Sequence, residues 1–346
     1  MLYKTLLSKR KALLYVSTIA MLILSAALCS KRDSVEDLIS YAQVDGHIRF
    51  LSSDELKGRG SFSEDIRLAE DYIADQFKQA GLKAFADFPG YRHEFTFTFR
   101  NRRDPEAEPQ EFKLANIVGY LEGRDPKLKE EYVVFGAHHD HVGVRGEAED
   151  NIYNGANDNA TGTTAVIALA NYYAKTHSNK RSLLFVTFAA EERGMIGSRQ
   201  LVKEPPFPIE KITAVINFEM IGKSREEGEL LCYLTGWDRS DLGVIMQESL
   251  EDNPSWLRKG PEITDRLFFA SDNISFARAG VVAHTLAGIN STNDPATHTP
   301  GDEYETLNVD DMTQIIRGVV KACQAIISGE RTPTILEPVS QRNDRP

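Results

Sequence analysis

The stretch Tyr132-Val133-Val134-Phe135-Gly136-Ala137-His138-His139-Asp140-His141 decides how this chain folds. An uninterrupted uncharged run ends abruptly on residues that can bind a proton or a metal ion. A continuous apolar run, rather than an alternating one, is the pattern of a strand buried on both faces. The pattern recurs along the chain. Residues 183–190 run into Glu191-Glu192, residues 212–218 run into Glu219, and residues 281–287 lead to a loop holding His298. Helical periodicity falls between them, at 163–173, from about 194, and at 241–250, with a further strand at 229–234. Strands alternating with helices imply an α/β sheet covered on both faces.

Working outward, a polar segment leads into a helix predicted over 64–80. Ile66, Ala69, Ile73, Phe77 and Ala80 share one stripe, and Gly81 stands where a left-handed cap belongs. Strands follow at 93–99 and 116–121, joined by a charged, proline-containing hairpin loop over 100–110. The last helix is predicted over 309–328, with Met312, Ile315, Ile316, Val319, Cys323, Ile326 and Ile327 on one face. No repeat is visible, and no linker divides residues 33–330, which read as one domain. Residues 331–346 contain Pro333, Pro338 and Pro346 and read as a flexible tail.

The composition, 41% hydrophobic and 26% charged, is that of a globular protein and argues against disorder. Residues 1–29 begin with Lys4, Lys9, Arg10 and Lys11 and continue into the apolar run 12–29, the layout of an export signal. A retained membrane anchor and a lipid-modified Cys29 are alternatives. Either way the product is expected outside the cytoplasm, touching a membrane only through this segment. The net charge is −11; without these four basic groups the remainder carries −15, which repels phosphate backbones and argues against nucleic acid as a partner. Only Cys232 and Cys323 remain beyond the leader, too few for a disulfide framework and expected to be buried thiols.

Open α/β sheets place their sites at the carboxyl ends of strands. There this chain puts His138, Asp140, Glu191, Glu192, Glu219 and His298, while Asp158 opens the helix after the first of these loops. Two histidines with several carboxylates and no thiolate suit Zn²⁺, and Mn²⁺ or Co²⁺ fit the same donors. His138, Asp158, Glu192, Glu219 and His298 exceed the needs of one four-coordinate ion. If one carboxylate bridges, they make two open sites of the catalytic kind. Asp140, two residues after His138, points to the same side in extended chain and can fix the imidazole tautomer. His139 points the other way and reads as structural; His141 lies on the His138 side but is left out of the ligand set. No H-E-x-x-H, G-x-S-x-G, Walker loop or dinucleotide fingerprint competes.

Further stretches are telling in this order: Phe50-Leu51-Ser52-Ser53-Asp54-Glu55-Leu56-Lys57-Gly58-Arg59-Gly60, Ala115-Asn116-Ile117-Val118-Gly119-Tyr120-Leu121-Glu122-Gly123, Asn157-Asp158-Asn159-Ala160-Thr161-Gly162, Phe188-Ala189-Ala190-Glu191-Glu192 and His298-Thr299-Pro300. With the His138 segment they resemble the co-catalytic zinc exopeptidases, the family of bacterial secreted leucyl aminopeptidases, glutamate carboxypeptidase II and glutaminyl cyclase. The resemblance covers about residues 44–328. It implies a three-layer α/β/α sandwich around a mixed, mostly parallel sheet. It further implies two zinc ions, with His138 on one, Asp158 bridging, Glu192 and His298 on the other, and Glu191 as general base. Asp140 would support His138, and a cis peptide would follow Asp158. Two departures stand out: Glu219 replaces the family's usual aspartate, and Ser271-Asp272-Asn273 replaces a frequent Ser-Asp-His.

The reading that follows is an aminopeptidase acting on peptides with a free N-terminus. Glutaminyl-peptide cyclotransferase on the same fold is the rival enzyme, and carboxypeptidase activity would need cationic residues near the pocket. The rival of another class is a receptor or binding domain that has lost its metals; the retention of Glu191 and of the ligands argues against it.

Overall fold

The central strands carry almost nothing but buried side chains, which is why they read as unbroken apolar runs. The computed structural model describes residues 34–100, 104, 106–250 and 256–339. Its strands are β1 (Arg92–Phe99), β2 (Gln110–Leu121), β3 (Tyr132–His138), β4 (Gly143–Val144), β5 (Ile152–Tyr153), β6 (Ser182–Phe188), β7 (Ile212–Glu219), β8 (Arg225–Glu226), β9 (Glu229–Leu230), β10 (Cys232–Leu234), β11 (Leu257–Lys259) and β12 (Ala283–Gly288). Eight form one sheet in the order β1-β2-β6-β3-β7-β12-β10-β11. β6, β3, β7 and β12 lie parallel at its centre, and antiparallel pairings flank them. β1, at the edge, alternates in burial instead.

The main helices are α1 (Tyr41–Leu51), α2 (Ile66–Ala80), α3 (Thr161–Thr176), α4 (Ile196–Lys203), α5 (Leu242–Leu250), α6 (Asn273–Arg278) and α7 (Val309–Ala322). α3 lies against β3, β6 and β7 with α1, α2 and α7 around it, while α4 and α6 pack on the other face. The result is a three-layer α/β/α sandwich around a mixed, mostly parallel sheet. α2 ends as expected: Gly81 is left-handed (φ 81°) and Leu82 N–H donates to Phe77 O at 3.1 Å, closing the cap.

Several elements differ from the sequence reading. The polar segment before α2 contains α1, whose Val44, Ile48 and Leu51 are buried and whose Ser40 and Gln43 form a capping box. The helix expected over 309–328 stops at Ala322, and a short turn of helix over Gln324–Ile327 resumes after Cys323 (φ −89°, ψ 0°). β11 and α6 are too short for periodicity to reveal. The expected flexible tail is held as far as it is described. Thr334 N–H donates to Asp241 Oδ1 at 2.6 Å and Leu336 N–H to Arg239 O at 2.8 Å, so these hydrogen bonds offset the entropy of ordering it.

Chain contacts group residues 39–346 as one unit and residues 1–38 as another. The expected leader over 1–29 lies outside the described residues. Among the described residues no helix is long and apolar enough to cross a membrane. Cys232 and Cys323 are free, buried thiols, each pushed up to about 12 by burial.

Candidate metal centre

The parallel strands β3, β6, β7 and β12 end on the same edge, so the loops that leave them converge there. β3 delivers His138, β7 delivers Glu219, and β6 runs into Glu191-Glu192. His138 Nε2 lies 2.9 Å from Glu219 Oε1 and 3.3 Å from Asp158 Oδ1. His298 Nε2 lies 3.2 Å from Asp158 Oδ2 and 3.0 Å from Glu192 Oε1. Asp158 therefore turns one oxygen to each group. The ligating atoms of His138, Asp158 and Glu219 fall within 4.8 Å of one another, and so do those of His141, Asp158, Glu192 and His298.

His141, left out of the ligand set on sequence grounds, is thus drawn in. Its Nδ1 is 2.9 Å from Glu192 Oε1 and 3.8 Å from Asp158 Oδ2. The signal was its place two residues beyond Asp140 on the His138 side. Asp140 also differs from expectation. His138 Nδ1–H donates to the main-chain oxygen of Asp140 at 3.0 Å, while the carboxylate stands 3.6 Å off. That carboxylate instead accepts Glu191 N–H at 3.0 Å and the Ser61 hydroxyl at 2.5 Å. His139 is wholly buried with Nδ1 3.1 Å from Thr187 Oγ1, a structural position.

Asp158 is steered by its neighbours in the turn. Asp302 accepts the main-chain N–H groups of Asn157 and Asp158, both at 3.0 Å, with its two oxygens. Asn159 donates from Nδ2 to Phe218 O at 2.8 Å and accepts Met220 N–H at 3.2 Å, tying the turn to the end of β7. The Asp158–Asn159 peptide is cis. Sequence reasoning missed Asp302 and Asn159 because their partners are main-chain groups far away along the chain.

The electrostatics follow from crowding acids and imidazoles out of water. Burial would raise Asp158, yet His141, His138 and His298 hold it well below the ordinary carboxylate value. Glu192, likewise opposed by burial, is drawn down to about 2 by His141 and His298. His298 rises to about 10 through its contacts with Asp158 and Glu192. Glu191 behaves oppositely. Burial raises it well above the carboxylate range, His138 opposes this, and Asp272, Glu219 and Asp140 add to it.

The donor set fits zinc: imidazole nitrogens and carboxylate oxygens in two adjoining groups. Glu192 Oε1 and both ring nitrogens of His141 are buried yet make no hydrogen bond, although imidazole nitrogens approach Glu192 Oε1 to 2.9 and 3.0 Å. Atoms that close in without hydrogen-bond geometry fit donors arranged to face a common cation. Beside them opens a cavity of about 270 Å³, walled by Met220, Tyr233, Leu267, Ala270 and Ala287 and floored by hydroxyls such as Thr285. Among the described residues, no lysine or arginine lines it.

An α/β/α sandwich with paired carboxylate–imidazole groups at its carboxyl edge has the architecture of the metallopeptidases. Comparison makes the assignment specific. The model of peptidase family M28 matches residues 116–323, and the chain belongs to that family. Among curated proteins it is similar to the aminopeptidase YwaD of Bacillus subtilis, 24% identical over 237 residues that make up 64% of this chain and 47% of the relative. The chain spans about half the length of the first curated relatives it matches. Among solved structures it is similar to BSAP, a zinc aminopeptidase from Bacillus subtilis, with TM-score 0.65, 15% identity, and coverage of 85% of this chain and 97% of that one. It is also similar to glutaminyl cyclase of Porphyromonas gingivalis, with TM-score 0.63, 15% identity, and coverage of 84% and 100%. At such identity these structures share the fold.

Proposed function

We propose that residues 33–330 form one exopeptidase domain, and that it is a two-zinc aminopeptidase removing N-terminal residues from peptides. The observation that carries this is Asp158, which faces both ligand groups at once with Glu191 and the cavity alongside. His138, Asp158 and Glu219 would hold one ion; Asp158, Glu192 and His298 would hold the other, with His141 beside it. Bound zinc supplies Lewis-acid polarisation of the scissile carbonyl and acidifies water. Glu191, whose carboxyl burial raises well above the ordinary carboxylate range, takes the proton of the attacking water and delivers it to the leaving amine. The cavity receives the first side chain, and the surrounding carboxylates receive the free amine. Among the described residues no lysine or arginine lines the cavity to meet a C-terminal carboxylate, which disfavours a carboxypeptidase. The basic and apolar leader over 1–29 supports export.

Cyclisation of N-terminal glutamine is the reading that the similarity to glutaminyl cyclase keeps in view. The second complete ligand group, His138 with Asp158 and Glu219, favours hydrolysis. Mass spectrometry of unblocked, N-acetylated and glutaminyl peptides after incubation with zinc-loaded protein separates the two. Stepwise loss of N-terminal residues from the unblocked peptide alone is expected. Loss of ammonia from the glutaminyl peptide without hydrolysis of any substrate would overturn the aminopeptidase reading.

A further inference from the structure

Arg59 lies beneath the metal centre without contributing a ligand to it. The residue is 1% exposed, and its guanidinium spends its hydrogen bonds on main-chain carbonyls. Nε–H donates to His139 O at 2.9 Å, Nη1 to Leu51 O at 2.5 Å and Asn154 O at 2.6 Å, and Nη2 to Gly155 O at 2.8 Å. A buried cation is costly unless its surroundings compensate it. Here the compensation is carbonyl dipoles and the nearby charges of Asp158, Asp302, Asp140 and Glu192.

The backbone of the same turn points the same way. Lys57 and Arg59 adopt left-handed φ of 46° and 47° on either side of Gly58, a conformation that side chains disfavour. Such residues persist where the surroundings enforce them. Gly58 is enforced by closeness, since a Cβ there would stand 2.3 Å from Tyr153 O. Arg59 O accepts His141 N–H at 2.9 Å. The turn thus grips the segment 139–141 with both main chain and side chain, and grips 153–155 as well. The first of those segments follows His138 and contains His141, and the second leads into Asp158.

The geometry points to Arg59 as a positioning residue for the metal centre, one that locks the His138–His141 loop to the loop entering Asp158 so that both ligand groups are formed before an ion arrives. This inference rests on reading the two groups as a zinc site. Lysine keeps the charge but lacks the planar fork that reaches several carbonyls at once, so Arg59→Lys separates geometry from charge. Without the lock, the ion itself must order the loops and binds less tightly.

The test measures zinc affinity of metal-free protein by competition with a chromogenic chelator, together with the melting temperatures of metal-free and zinc-loaded forms. Arg59→Lys and the second variant Arg59→Gln should unfold cooperatively yet bind zinc about 10- to 100-fold more weakly, the scale for residues that orient ligands. The rise in melting temperature on adding zinc should shrink, more in Arg59→Gln than in Arg59→Lys. Unchanged affinity, with both melting temperatures lowered equally, would mark a purely structural residue and overturn the proposal. Loss of cooperative unfolding in both variants would assign Arg59 to the fold and overturn it too. A wild-type protein that takes up no zinc would instead overturn the zinc reading beneath it.

Discussion

At the scale of single residues, Glu191 and Glu219 invite the most direct tests. Glu191 N–H is pinned to Asp140, and the residue lines the cavity while belonging to neither ligand group. Glu191→Gln should therefore keep its zinc content and melting temperature while turnover falls by ~10²–10⁴, the worth of a general base. Near-normal turnover in that variant would remove Glu191 from proton transfer. Glu219 reaches His138 with one oxygen, and its other accepts the Ser271 hydroxyl at 2.7 Å. A carboxylate so divided has less freedom to adjust to an ion. Graded chelation is expected to strip the His138 group first, and Glu219→Asp should change the interval between the two losses. Simultaneous release in the wild type would contradict unequal sites. Carboxylates and histidines at strand ends were readable because apolar runs mark where strands stop. His141, Arg59 and Asp302 were not, since each is placed by a main-chain or side-chain partner remote in sequence.

At the scale of elements, the long apolar runs and the amphipathic stripes of α2 and α7 were legible because burial dictates both periodicities. Short pieces such as β11 and α6 were not, because three to six residues form no pattern. Close approach between elements is likewise invisible until they meet. Gly197, at the start of α4, lies so near the sheet that an added Cβ would stand 2.2 Å from Asn116 Oδ1 and 2.5 Å from Ala189 O. Asn116 meanwhile accepts Ala189 N–H and donates to Gly197 O, both at 2.9 Å, riveting α4 to the end of β6. Gly197→Ala should cost ~1–3 kcal/mol in urea unfolding, the range for overpacking. An unaltered midpoint and slope would show that α4 can shift freely.

At the scale of the whole molecule, buried histidines should make it sensitive to acid. Burial holds His47 at about 4, against an ordinary value of 6.5. His284 is also at about 4 by burial, with Ser240 and the carbonyl of Thr235 each 2.7 Å from a ring nitrogen. Between pH 6.5 and 4 the unfolded chain takes up protons that these folded imidazoles refuse, so their stabilising contribution is full above that window and is lost as pH falls through it. In metal-free protein this contribution to the urea midpoint should drop from pH 6.5 to pH 5, against the opposite pull of Glu191 and Asp272, which burial raises. His284→Gln, which cannot be protonated, should lessen the drop. An identical pH slope in that variant would exclude His284 as a source.

The ligands are also spread widely in chain order: His138 comes early, Asp158 and Glu192 follow, and His298 arrives only in the loop beyond β12. A ribosome releasing this polypeptide has delivered every residue of the His138 group by the time Glu219 emerges. The Glu192 group, which already has His141, still lacks His298 for the next seventy-nine positions, the span from Glu219 to His298. The two groups are thereby completed one after the other, the second only once the loop beyond β12 has been made.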